Sequence, residues 1–243
     1  MSEDVERAAG TKAWELVVAW IEQGILDGRL VRGSTLPAER DLAAQLGVSL
    51  AVVREAVRTL QANGVLRSNV GAGATGGTIV EGEPHVALTR MLRMHVALAN
   101  FPGRDVTEVR VVLERLSVAL ACVHADDDAR AAMRAALERM DDDDLTREEF
   151  SRFDTEFHVT IARSAGNRLV TDLTVAIREA MNLPIGWGFG ELAEWTQVRT
   201  QLRAHHHAIM AAIEARSADE AAELVDQHIW WAYEAIPRLH REH

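Results

Sequence analysis

Four side chains in the C-terminal half of the sequence have the types and the spacing of a metal site: Asp154, His158, His206 and His228. Asp154 and His158 lie four residues apart in DTEFHVTIARSAGN, so a helix places both on one face, about 6 Å apart along its axis. Ile161 and Ala165 share that face, which turns it inward. His206 belongs to the stripe Leu202, His206, Ile209 and Ile213, and His228 to the stripe Ala221, Val225, His228 and Ala232. A lone histidine on such a stripe is ordinarily a satisfied core residue. Four polar groups sent from three helices into the same kind of interior cost on the order of several kcal/mol unless they are partnered. One divalent cation would partner all of them. Imidazole nitrogens and a carboxylate suit zinc, which stands first, with nickel, manganese or iron as alternatives. An octahedral ion with four protein ligands keeps room for a small anion. Three other readings stay open: a metal-free polar network, a purely structural metal, and a metal that activates water for hydrolysis. Against hydrolysis, no further histidine or carboxylate stands at a set spacing as a general base.

The elements that would position these residues are helical. The periodicity predicts helices over roughly 85–99, 105–124, 127–140, 147–165, 167–181, 191–215 and 218–240, an all-α bundle. Asp105 with Glu108, Thr146 with Glu149 and Ser217 with Glu220 have capping-box spacing. The acidic runs Asp126–Asp128 and Asp141–Asp144 lack the alternation, glycine and closing glutamate of a calcium loop and read as solvated connectors. Arg110 lies beside the apolar stripe Val109, Leu113, Leu116 and Leu120; it can pair with Glu114 one turn on, or hold a carboxylate bidentately. Asn167, in AGN, is placed to cap a helix or to enter a pocket. Trp187, Trp195, Trp230 and Trp231 can line a pocket or simply pack. His205 and His207 point about 100° to either side of His206 and read as outward groups.

The N-terminal third has a different design. A helix over 11–28 carries Trp14, Val17, Val18, Ile21 and Ile25 on one side. In LPAERDLAAQLGVSLAVVREAVRTLQANGVL, Ala38, Leu42, Ala43 and Leu46 mark one short helix, and Val53, Ala56, Val57 and Leu60 mark a second. Between them Gly47 can take positive φ and Ser49 can cap the second helix, which Gly64 ends. Arg54 and Arg58 remain on its outer face. That is a helix-turn-helix whose second helix can enter a DNA major groove. Two short extended runs, Val65–Val70 and Thr78–Val80, flank glycines that include Gly71 and Gly73, as a β-hairpin wing would. Gly71, Gly73 and Gly76 have GxGxxG spacing but lead into the extended Thr78–Val80 rather than opening a helix, and GxxxxGK[ST] is absent, so a nucleotide loop is excluded.

LPAERDLAAQLGVS with VREAVRTLQANGVL resembles the winged helix-turn-helix of the GntR superfamily, over roughly residues 11–80. There the PAER box opens the second helix, GVS makes the turn and VRE lies on the recognition helix. The resemblance implies DNA contacts from Arg40, Ser49 and Arg54. The following position, arginine in many members, is Leu50 here, then Ala51; these offer only apolar contacts, for instance to thymine methyl groups. Residues 105–237, with Asp154-x3-His158, His206, His228, RVVLERLSVALA and HAIMAAIEARSADEAAELVDQHI, resemble the FCD ligand-binding domain of FadR-type members. The helix at 85–99 fits the seven-helix subgroup. That resemblance implies that Asp154, His158, His206 and His228 hold the metal, and that a small carboxylate binds it together with Arg110. An acyl-CoA-sensing branch of the same family does not use this ligand set.

The expected organisation is therefore a mainly α chain: a winged helix-turn-helix over 1–80, a linker at 81–84, and a seven-helix domain over 85–243. Charge follows this division. Residues 1–80 hold 8 Lys+Arg against 9 Asp+Glu and 81–243 hold 18 against 28, and within the first part the basic surplus lies over 29–80, at 6 against 3. A basic surplus on the helix-turn-helix suits phosphate contacts, and an acidic remainder stays off the DNA backbone. A single cysteine, Cys122, excludes an intrachain disulfide and fits a reducing cytoplasm. With no signal-peptide core in MSEDVERAAG and no long apolar run, no membrane is expected. The sequence predicts a cytoplasmic, non-enzymatic regulator. It would bind palindromic operator DNA as a homodimer, probing a carboxylate through its metal and acting as a repressor.

Overall fold

The computed structural model describes residues 3–69, 77–82, 84–98 and 100–240. The chain divides into two compact units, Met1–Ala87 and Leu88–His243. The division falls three residues beyond the expected linker, inside a helix.

The first unit contains α1 (Glu3–Leu26), α2 (Glu39–Leu46), α3 (Leu50–Ala62) and the strands β1 (Leu66–Asn69) and β2 (Gly77–Val80). Val17 and Ile21 of α1 pack with Leu42 and Ala43 of α2 and with Val53, Ala56, Val57 and Leu60 of α3 in one buried cluster. Trp14, Val18 and Ile25 cover its edge, on the face that the sequence marks out. The turn between α2 and α3 depends on Gly47, whose φ of 66° closes the α2 C-terminus by donating its N–H back toward Ala43 and Ala44. Ser49 then accepts from the Val52 N–H at the start of α3. β1 and β2 pair antiparallel from Leu66 opposite Val80 to Asn69 opposite Gly77. Thr35 adds an isolated antiparallel bridge to Ile79, which ties the approach to α2 onto the hairpin.

Helix α4 (Pro84–Ala97) crosses the division. The second unit continues with α5 (Gly103–His124), α6 (Asp127–Met140), α7 (Arg147–Ser164), α8 (Arg168–Glu191), α9 (Trp195–Glu214) and α10 (Ala218–Ala235), then a 3-10 turn at Pro237–His240. Counting α4, that gives the seven expected helices among the described residues. Asp126 caps α6, and Thr146 with Glu149 forms a complete capping box on α7. The other two expected boxes do not form. α5 starts at Gly103, two residues early, which leaves Asp105 inside its first turn, and Ser217 makes no side-chain bond at the start of α10.

Two further expectations are corrected. The sequence ends a helix at 181, ahead of Pro184, yet α8 runs through that proline to Glu191. Pro184 removes one helical hydrogen bond, but tertiary contacts hold the segment beyond it. Phe189 packs edge-on to Phe150 and against Trp195. Gly188 lies so close to Ile236 that an added Cβ would collide with it. Arg147 donates to the carbonyls of Phe189 and Gly190 at the helix end. The second correction concerns which face of α5 is inside. Val109 and Leu116 are exposed (51% and 45%), whereas Arg110, Glu114 and Ser117 are buried. The inward face of α5 sets these polar groups among Val106, Val111, Val118, Ala121 and Cys122.

Candidate metal and effector centre

Charged and polar side chains from five helices meet inside the second unit. α7 supplies Asp154 and His158, one turn apart; α9 supplies His206; α10 supplies His228. All four are buried, and each offers a ligand atom within 4.8 Å of the others. His158 Nε2 is 3.3 Å from His206 Nε2, and His206 Nε2 is 3.0 Å from Asp154 Oδ1. Ligand atoms around one ion at about 2.0–2.2 Å lie about 3 Å apart, so these separations suit a shared cation. Phe157 packs edge-on to both the His158 and His206 rings, and the His158 and His228 rings stack at 5.0 Å.

Behind this cluster stands a second layer of charge. Glu114 of α5 lies between two guanidiniums and an imidazole. Arg110 Nε donates to its Oε1 at 2.6 Å, Arg178 Nη2 donates to its Oε2 at 2.8 Å, and His158 Nδ1 is 2.9 Å from Oε2. Arg178, on α8, also donates from Nη1 to Asp154 Oδ2 at 3.1 Å. Burial alone would raise the Glu114 carboxyl, but Arg178, Arg110 and His158 hold it well below the ordinary carboxylate range. Burial also works against the Asp154 carboxylate, and His206 and Arg178 outweigh it, keeping it well below that range. Burial followed by the charge of Arg178 pushes His158 down to about 4, against the pull of Glu114. Burial, then His206 and His158, lowers His228 well below its ordinary value. At neutral pH the centre thus offers His158 and His228 as uncharged imidazoles beside ionised carboxylates, the protonation states that a metal requires. The buried Nδ1 atoms of His206 and His228 have no hydrogen-bond partner among the described residues. What fits a divalent ion is the donor set itself, three imidazoles and a carboxylate with ligand atoms within 4.8 Å of one another and closed off from solvent.

The structure brings together all four sequence-predicted ligands and sets Arg110 next to them. Asn167 is elsewhere in role: it is exposed and its side chain accepts from Val170 N–H as the α8 cap. His207 pairs outward with Asp141, while His205 packs its ring against Trp231 and contacts Gln201. Trp195 packs on Phe150 and Phe189, whereas Trp187 is exposed with the Arg238 guanidinium over its ring. Sequence reasoning missed Arg178 altogether and saw Glu114 only as a partner for Arg110. The available signal was an arginine on the α8 stripe with Thr174, Ile177 and Met181, a position that buries its charge.

In the first unit, Arg40, Ala51, Arg54 and Arg58 are exposed and Leu50 is half-buried at the first position of α3. Arg54 Nε donates to Glu39 Oε2 at 2.9 Å, so the PAER glutamate on α2 holds the arginine of the second helix. Gly71 and Gly73 lie outside the described residues.

Residues 105–230 match the FCD domain family, and residues 15–75 match the bacterial regulatory proteins of the gntR family. The first match alone covers half of the chain. This chain belongs to the FCD-domain regulators of the GntR family. Among curated GntR relatives, the HTH-type transcriptional repressor NanR of Salmonella newport (strain SL254) is 28% identical over 232 residues, 91% of this chain and 84% of that protein. NanR of Salmonella typhi is also 28% identical over 232 residues, covering 91% of this chain and 83% of its own. Among solved structures, Streptococcus agalactiae GntR superposes with a TM-score of 0.60 at 22% identity, covering 91% of this chain and 99% of that one, which shows the shared fold. The GntR and FCD matches make this chain a transcription regulator with a ligand-binding domain rather than an enzyme. Among the described residues no helix is long and apolar enough to cross a membrane.

Proposed function

We propose that this regulator is a homodimeric repressor whose affinity for operator DNA is set by a small carboxylate bound at a metal centre in the second unit. The observation that carries this reading is the convergence of Asp154, His158, His206 and His228 within 4.8 Å, with Arg110 buried alongside. Those four residues would hold the ion, with zinc first among the candidates and nickel, manganese or iron as alternatives. When bound there, such an ion supplies positive charge and coordination positions open to an anion. Arg110 uses Nε on Glu114, and its two terminal nitrogens are the groups that would take an effector carboxylate. The α3 face with Arg54 and Arg58, flanked by Arg40 on α2, would read the DNA, with Ser49, Leu50 and Ala51 at the helix start.

Two observations support repression and dimerisation. The NanR relatives are named repressors. On α5, Val109, Val112, Leu116 and Val123 are all exposed, at spacings of three, four and seven residues, the seam that a second copy would cover. Residues 1–80 as DNA-binding domain, 81–84 as linker and 85–243 as effector domain is the division of labour we assign.

The test is metal analysis of the freshly purified full chain, paired with thermal shifts against a panel of carboxylic acids before and after chelation. The reading expects about one ion per chain, and a shift with one class of acid that chelation abolishes. In the His206→Ala chain it expects neither. Full metal content in His206→Ala, or an acid-induced shift that survives chelation, would refute it.

A further inference from the structure

Two of the four proposed ligands are held from behind, and both lead to one carboxylate. His158 presents Nε2 to His206 at 3.3 Å while its Nδ1 lies 2.9 Å from Glu114 Oε2. Asp154 presents Oδ1 to His206 Nε2 at 3.0 Å while its Oδ2 accepts from Arg178 Nη1 at 3.1 Å. Arg178 is itself fixed by Glu114, with Nε 2.7 Å from Oε1 and Nη2 2.8 Å from Oε2. Glu114, Arg178 and His158 are each at most 3% exposed, so water does not compete for these bonds.

An ionised carboxylate can only accept hydrogen bonds. Facing Glu114, His158 therefore carries its proton on Nδ1 and leaves the Nε2 lone pair directed at His206 and Asp154. An outer carboxylate of this kind fixes both the tautomer and the ring orientation of a metal-binding histidine, and makes it a better donor. The same carboxylate locks Arg178, which in turn decides which Asp154 oxygen faces the cluster. His206 and His228 have no such support, since their Nδ1 atoms lack partners among the described residues.

Resting on the metal reading above, we propose that Glu114 is the positioning residue of this centre: it sets the His158 tautomer directly and the Asp154 carboxylate through Arg178. A purely structural alternative assigns Glu114 only the neutralisation of two buried arginines. Were that its whole role, Glu114→Gln would lower the stability of the metal-free protein and leave its affinity for metal unchanged.

The experiment separates these. Full-length metal-free protein is titrated with Co²⁺ and with Zn²⁺ against a chromophoric chelator, for wild type, Glu114→Gln and Ser117→Ala, with melting temperatures recorded for each. Ser117 bonds Thr174 on the neighbouring helix and is not one of the cluster's ligands, so its loss reports simple destabilisation. The proposal expects a roughly 10- to 100-fold weaker metal affinity in Glu114→Gln, with Ser117→Ala melting lower but binding as wild type does. Alongside, ¹⁵N-histidine spectra of the metal-free wild type should show His158 protonated at Nδ1. Equal affinity in wild type and Glu114→Gln overturns the proposal and leaves the metal reading standing. No binding by wild type overturns both. Should Glu114→Gln not fold, an Nε2-protonated His158 in the wild-type spectra overturns the proposal by itself.

Discussion

At the scale of single residues, the centre works by keeping charge where solvent cannot reach it. Arg110 and Arg178 are both buried, and one carboxylate, Glu114, lies within bonding distance of both. A buried guanidinium left unpaired would be prohibitive, so Glu114, with Asp154 as a second partner for Arg178, is what permits cationic groups beside the histidines. Arg110 donates to Glu114 through a single nitrogen, Nε, and Glu114 keeps Arg178 and His158 if Arg110 is lost. Arg110→Met should therefore retain metal while binding the cognate carboxylate about 10- to 100-fold more weakly, the worth of a charge-assisted hydrogen bond. Calorimetric titration of the metal-loaded variant checks this, and unchanged acid affinity would remove Arg110 from the effector site. The four ligands were legible in the sequence because each sits on a stripe of apolar residues, where a polar side chain stands out. Arg178 was not, because an arginine in a helix ordinarily reads as a solvated residue. Only the three-dimensional position of Glu114 and Asp154 shows that its charge is answered inside.

At the scale of elements, local chemistry and tertiary packing divide the credit. The helix-turn-helix is written in local signals: Gly47 at a positive φ, Ser49 accepting at the α3 start, and a four-residue buried stripe on α3. Its reading face follows from what that stripe leaves outside. Arg54 projects from α3, steadied by Glu39, in a surface pair that is worth at most about 1 kcal/mol to stability. Removing it should therefore leave the fold intact. Arg54→Ala is expected to weaken duplex binding more than tenfold while metal content and melting temperature stay as in wild type. Retained duplex affinity would move the reading face elsewhere. The bundle was legible in helix number and approximate position, and less so in its ends and faces. α8 passes Pro184 because Phe189 packs on Phe150 of α7, Gly188 lies against Ile236 beyond α10, and Arg147 of α7 bonds the carbonyl of Phe189, none of which a local pattern encodes. α5 has apolar residues on both faces: Val109, Val112, Leu116 and Val123 are exposed, while Val111, Val118 and Ala121 are buried with Arg110, Glu114 and Ser117. Periodicity reports that a helix has two faces, and with apolar residues on both it does not say which one is inside.

At the scale of the whole molecule, basic charge is gathered on the helix-turn-helix and its flanks. Residues 29–80 carry a surplus of basic groups and residues 81–243 a surplus of acidic ones, so attraction to DNA is confined to the part that reads it. A carboxylate bound in the second unit can change DNA affinity only if it binds the DNA-free arrangement more tightly than the DNA-bound one, and the coupling is then reciprocal. The most direct measurement is the affinity for a duplex selected from a random pool, by fluorescence anisotropy. It would be made with metal-loaded and chelated protein, each with and without the acid that shifts the melting temperature. With metal-loaded protein the acid should weaken binding about tenfold or more, and after chelation it should have no effect. Equal duplex affinity with and without the acid in the metal-loaded protein, or the same weakening after chelation, would contradict this expectation.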